Sequence, residues 1–111
     1  MRAKYLRVFL VVIIIALVAV APASAANLAR RGVVRIVDFD YLPQTATIHV
    51  GDWIRWKNVG AVAHTTDSDD LLWDAELDPG KSFAFRFTSA GTFNYHCDFH
   101  PSMIGSVVVV P

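Results

Sequence analysis

The chain has 111 residues and a formal net charge of zero, with ten basic and ten acidic side chains. That length suits one domain, and the balanced charge argues against a nucleic-acid partner, since phosphate binding needs clustered Lys and Arg. A single cysteine, Cys97, excludes an internal disulfide.

The N-terminal stretch reads as a secretory signal peptide over residues 1–25. Arg2, Lys4 and Arg7 form a basic start, residues 8–21 are an unbroken apolar run, and Ala23-Ser24-Ala25 supplies a small-x-small cleavage pattern. The apolar run is short against the roughly 20 residues of a spanning helix, which favours cleavage over a retained anchor. No twin arginine precedes the run and no cysteine follows it. General secretory export is therefore expected, and a lipid anchor on cysteine is excluded. Cleavage removes three basic residues and no acidic ones, leaving a mildly acidic domain over residues 26–111. A lone thiol in an exported domain of this size calls for an explanation.

The remainder predicts strands throughout. Residues 33–39 are rich in β-branched side chains, and residues 45–50 alternate polar and apolar as a half-buried strand does. Gly51-Asp52 marks a turn, and a strand over residues 53–57 follows with Ile54 and Trp56 on one face. A long irregular loop is expected over residues 65–78, which hold Asp67, Asp69, Asp70, Asp74, Glu76 and Asp78 without a basic residue. It reads as a solvated face and fails as a calcium loop, because Leu72 stands where the tight turn needs glycine. Phe83, Phe85 and Phe87 alternate with Ala84 and Arg86; Phe93, Tyr95 and Cys97 alternate with Asn94 and His96. Residues 107–110 close the chain as a last strand. Short strands punctuated by Gly, Pro, Asn and Asp predict an all-β fold, a small antiparallel β-sandwich.

Cys97, His100 and Met103 stand three residues apart at the end of one strand and the start of the final turn. A thiolate, an imidazole and a thioether at this density suit copper, which shuttles between Cu(I) and Cu(II). A type 1 site needs a second imidazole in the plane and a long, weak methionine bond on its axis. His64, just past the 53–57 strand, is the candidate. Met103 is the only methionine left after signal cleavage.

Segment 91–109, with its Cys-x-x-His-x-x-Met spacing, resembles the copper loop of the amicyanins and their plastocyanin-like relatives. Segment 48–58 resembles the strand-turn-strand that leads to the first histidine ligand in these blue-copper proteins. The resemblance implies a Greek-key cupredoxin fold and one type 1 copper held by His64, Cys97, His100 and Met103. It implies a monomeric electron carrier rather than an enzyme, in the periplasm or otherwise exported and free of the membrane once the signal is removed. Its partners would be redox proteins, such as a periplasmic dehydrogenase as donor and a c-type cytochrome or an oxidase as acceptor. Two departures stand out. Thr65 follows the first ligand where the family often has Asn, and Phe99 precedes the second histidine where amicyanin has proline. Unlike proline, Phe99 has a backbone N–H to offer the cysteine sulfur, and such a bond would raise the potential.

Two histidines remain. His96 adjoins Cys97, but strand neighbours point to opposite faces, so a surface role is expected. His49 lies on the polar face of its strand. A copper oxidase or nitrite reductase domain needs a further histidine cluster, for which His49 and His96 are too few and badly placed. A copper-delivery module would favour exposed ligands over a singular buried set. His100, beside Pro101, is expected to reach the surface as the electron port.

Overall fold

The computed structural model describes residues 10–17 and 28–111. The basic start and the cleavage pattern of the expected signal segment lie outside the described residues. Residues 10–17 of its apolar run carry neither helix nor strand. Among the described residues, no helix is long and apolar enough to cross a membrane.

The described residues form nine strands: β1 Arg31–Val37, β2 Asp40–Leu42, β3 Thr45–His49, β4 Trp53–Asn58, β5 His64–Ser68, β6 Asp74–Leu77, β7 Ser82–Arg86, β8 Gly91–His96 and β9 Ile104–Val110. They form a four-stranded sheet in the order β2-β1-β4-β7 and a five-stranded sheet in the order β3-β9-β8-β5-β6. The expected all-β sandwich is therefore present, with β1, β3, β4, β7, β8 and β9 close to their predicted bounds; β2, β5 and β6 were not expected. Most pairings are antiparallel, but β1 runs parallel to β4 and β3 parallel to β9. Alternation along a strand reports which face is buried, not the direction of the neighbour. The β1–β4 pair is parallel because the chain reaches β4 through β3 of the opposite sheet, and β3 reaches β9 by a path that likewise passes through the opposite sheet at β4 and β7.

The alternating strands bury one face each. Val34 and Ile36 of β1 and Ile54 and Trp56 of β4 meet Ile48 of β3, Tyr95 of β8 and Val107 and Val109 of β9 in a single core. Aromatic rings fill its centre: Trp56 lies 5.2 Å from Trp73 and 5.4 Å edge-on from Tyr95, which in turn lies 4.7 Å from Tyr41. Edge-to-face geometry of this kind suits the ring quadrupoles.

The expected loop over residues 65–78 is corrected by the structure, because β5 runs into it and β6 falls within it. Every residue of β5 is buried although all five are polar. Most of its polar groups find partners instead: Trp73 Nε1 donates to Thr66 Oγ1 at 3.0 Å and Tyr41 OH donates to the Thr65 carbonyl at 2.6 Å. β5 begins at His64, β8 ends one residue before Cys97, and β9 starts one residue after Met103. The β4–β5 and β8–β9 connections thus converge on one end of the sandwich.

Candidate metal centre

The 97–103 loop is closed by its own backbone. Cys97 N–H donates to the Met103 carbonyl at 3.0 Å, and Met103 N–H donates to the His100 carbonyl at 2.8 Å. The predicted ligands at both ends and at the middle of this loop are thereby held together. His64 enters from the 59–63 connection, which is organised by the fully buried Asn58. Its amide nitrogen donates to the carbonyls of Val62 and Leu77, both at 2.8 Å, and its oxygen accepts from Gly60 N–H at 2.9 Å. Sequence reasoning missed Asn58. Its polar side chain in a strand whose alternate neighbours face the core was the available signal.

The three strong donors lie at the spacing a single ion requires. Cys97 Sγ is 3.9 Å from His64 Nδ1 and 3.8 Å from His100 Nδ1, and the three ligand atoms lie within 4.8 Å of one another. Metal–nitrogen bonds near 2 Å and metal–sulfur bonds near 2.3 Å at about 120° would separate such atoms by about 3.7 Å. His64 and Cys97 are fully buried and Met103 nearly so, whereas His100 is half-buried. Two imidazoles, a thiolate and a thioether are the donor set that suits copper.

Asp38, in the turn after β1, orients the first imidazole. Its Oδ1 lies 2.8 Å from His64 Nε2, so Nε2 carries the proton and Nδ1 turns its lone pair toward the sulfur. The Ala61 N–H, and then His64, hold the Asp38 carboxyl below its ordinary range. The next residue, Phe39, stands over the site with φ of 90° and packs edge-on to His100 at 4.7 Å. Neither residue was singled out from sequence, because their role depends on a turn 26 positions before His64.

The sulfur receives one hydrogen bond, from the Thr65 N–H at 3.3 Å. The expected donor, Phe99 N–H, makes no such bond. The donor comes from the start of β5, which runs beside the loop, so Phe99 supplies no hydrogen bond through which to raise the potential. Thr65 also explains how this chain dispenses with Asn after the first ligand. Its Oγ1 accepts from Asp98 N–H at 2.8 Å and donates to Asp67 Oδ2, bracing the copper loop from β5.

The remaining histidines stand apart from these donors. His49 is exposed beside Asp52. His96 Nδ1 lies 2.6 Å from Asp69 and its Nε2 3.0 Å from Asp98. The bond to Asp69 holds the imidazole above its usual pKa. Nearby, burial first and then the adjacent Asp74 carboxyl push Asp67 up to about 6.

Residues 10–109 match the model of the cupredoxin-like domain. The chain belongs to the cupredoxin-like family. This cupredoxin is 32% identical over 96 residues to amicyanin of Paracoccus denitrificans, which covers 80% of the chain and 73% of that relative. It is 33% identical over 81 residues to the chloroplastic plastocyanin of Tetradesmus obliquus, across 60% of the chain and 56% of that protein. Among solved structures it resembles a purple cupredoxin from Nitrosopumilus maritimus, with a TM-score of 0.67, 29% identity, and coverage of 70% and 98% of the two chains. A reduced amicyanin variant superposes with a TM-score of 0.68 at 32% identity, over 76% and 87% of the two chains. The cofactor of this cupredoxin is one copper ion of type 1.

Proposed function

We propose that this chain is an exported one-electron carrier whose copper would be held by His64, Cys97, His100 and Met103. The observation that carries the reading is the spacing of the three strong donor atoms, already near that of a trigonal site in a buried pocket. When bound, copper supplies a metal that alternates between Cu(I) and Cu(II). The residues supply the rest. Burial of Cys97 and Met103 keeps water from the sulfur atoms. Asp38 holds His64 in one tautomer, and the core behind the loop keeps the donors in place through the electron's arrival and departure. Membership beside amicyanin and plastocyanin supports electron carriage rather than catalysis.

His100 is the port. Its ring is half-buried and lies among the exposed side chains of Phe39, Phe99 and Pro101, an apolar rim on which a partner can dock without displacing charge. Donor and acceptor are redox proteins of the exported compartment, such as a dehydrogenase and a c-type cytochrome or oxidase. The chain acts there as a monomer after residues 1–25 are cleaved. Copper analysis with voltammetry tests the reading. One type 1 copper per chain, with a reversible one-electron wave, is expected. Catalytic turnover of oxygen or nitrite would overturn it.

Two variants separate the roles of the ligands and their supports. Met103→Ala should keep copper and the visible band while changing the potential, because the axial bond is weak and tunes the metal. Loss of all copper in that variant would remove Met103 from the axial position. Asp38→Ala should weaken copper binding about 10- to 100-fold, the usual cost of losing a hydrogen-bonded partner of a ligating histidine. Competition with a chelator measures this, and unchanged affinity would show that His64 needs no orienting group.

A further inference from the structure

A second group of metal-ligating side chains lies on the other face of β8 from the Cys97 sulfur. Asp67, His96 and Asp98 each direct a ligand atom to within 4.8 Å of the others. They line one cavity of about 330 Å³ together with Ser68, Leu71, Trp73 and Asp74. Asp67 is 5% exposed, and its Oδ1 is buried without a hydrogen-bond partner. Its Oδ2 is occupied by the Thr65 hydroxyl, so the free oxygen belongs to a carboxylate that is otherwise fixed in place.

The imidazole is oriented as a ligand would be. Asp69 takes the Nδ1 side at 2.6 Å, and Nε2 faces Asp98 Oδ1 at 3.0 Å, across the mouth of the cavity. A carboxylate on one ring nitrogen and a metal on the other is the usual arrangement of a ligating histidine. Among the described residues, no Lys or Arg pairs with Asp67, Asp69, Asp74 or Asp98; the ion pairs there are made by His96 alone. Four carboxylates around one imidazole leave a concentration of negative charge that a dication would neutralise.

We propose that Asp67, His96 and Asp98 form a second metal site, separate from the copper centre, for a divalent cation of borderline character such as zinc. One imidazole and two carboxylates, with room in the cavity for water as a further ligand, match the nitrogen and oxygen donors that zinc accepts. Asp69 is the positioning residue that holds His96 from behind. Thr65, through its contacts with the Asp67 carboxylate and the Asp98 N–H, sets the separation of the two acids.

The test uses the copper-loaded, oxidised protein, in which Cu(II) outcompetes zinc for the first site. Calorimetry with Zn²⁺ should give one zinc per chain beyond the copper. Zinc-edge X-ray absorption should show nitrogen and oxygen neighbours and no sulfur. Asp98→Asn and His96→Gln should weaken binding by about tenfold or more, and Asp69→Asn by about tenfold. The exposed Glu76→Gln, outside the cavity, should leave it unchanged. Because Asp67 is buried, its variant can fail to fold; Asp98 is exposed and keeps the test decisive. Absence of zinc binding, a sulfur neighbour, or equal affinity in the Asp98 and wild-type proteins would overturn the proposal.

Discussion

Cys97→Ser should abolish the intense visible absorption of the copper-loaded protein while leaving the sandwich folded. Only a thiolate provides the strong sulfur-to-copper charge transfer, and the buried Cys97 is the only cysteine. The fold tolerates the change for local reasons. The serine hydroxyl is slightly smaller than the thiol and can accept the Thr65 N–H that Sγ now accepts. The Nδ1 atoms of His64 and His100 offer further polar neighbours, so the buried oxygen is not stranded. A stability loss of about 1 kcal/mol is expected, typical of a small buried change with partners retained. Circular dichroism with thermal melting measures the fold, and the visible spectrum measures the centre. Persistence of the intense band in the serine variant would mean that the sulfur is not a ligand.

Six strands were legible: β3, β4, β7 and β8 announce themselves by alternation, and β1 and β9 by their runs of β-branched residues. β5 hides for the opposite reason. It is buried throughout, yet its residues are His64, Thr65, Thr66, Asp67 and Ser68. A strand of that composition is possible only because Tyr41, Trp73 and Asp98 bring hydrogen-bonding partners from distant segments, and a local pattern does not encode them. The parallel pairings are hidden likewise, since they depend on how the chain crosses between sheets.

The site divides along the same line. Cys97, His100 and Met103 share one short loop, so their spacing reveals them directly. His64 needed the further inference that two strand ends lie together. Of the supports, Asn58 left a signal that went unread, a polar residue on the core-facing register of β4; Asp38 was out of reach, because its importance depends on which groups the 59–63 connection exposes. The sulfur's hydrogen bond shows how such reasoning fails. Phe99 has a free N–H and is near in sequence, but Thr65, 32 positions away from Cys97, is aligned with the sulfur because β5 runs beside the loop. Proximity along the chain was a poorer guide than alignment across the sheet.

Gly105→Ala should destabilise the domain by about 3 kcal/mol, a large share of the total stability of a chain this size. Gly105 of β9 pairs with Tyr95 of β8, and the tyrosine ring lies across the glycine. An added Cβ would overlap Tyr95 Cζ, and it would lie 2.5 Å from the hydroxyl and 2.8 Å from Cε2. The ring cannot retreat. Tyr95 is 1% exposed and is backed by Trp56 and Tyr41 at 5.4 and 4.7 Å, so any shift spreads into the centre of the core. Backbone conformation is not the obstacle, since Gly105 does not have a positive φ; the close approach is. One of the three overlaps is with the hydroxyl, so Gly105→Ala combined with Tyr95→Phe should recover part of the loss relative to Tyr95→Phe alone. The strain should also reach the metal centre, because β8 and β9 are the two strands that carry the 97–103 loop. Denaturant melts of the four proteins in this cycle measure the effect. A Gly105→Ala variant as stable as the parent would show that the β8–β9 hairpin can open enough to admit a methyl group, and that the loop it carries is less rigidly held than its contacts imply.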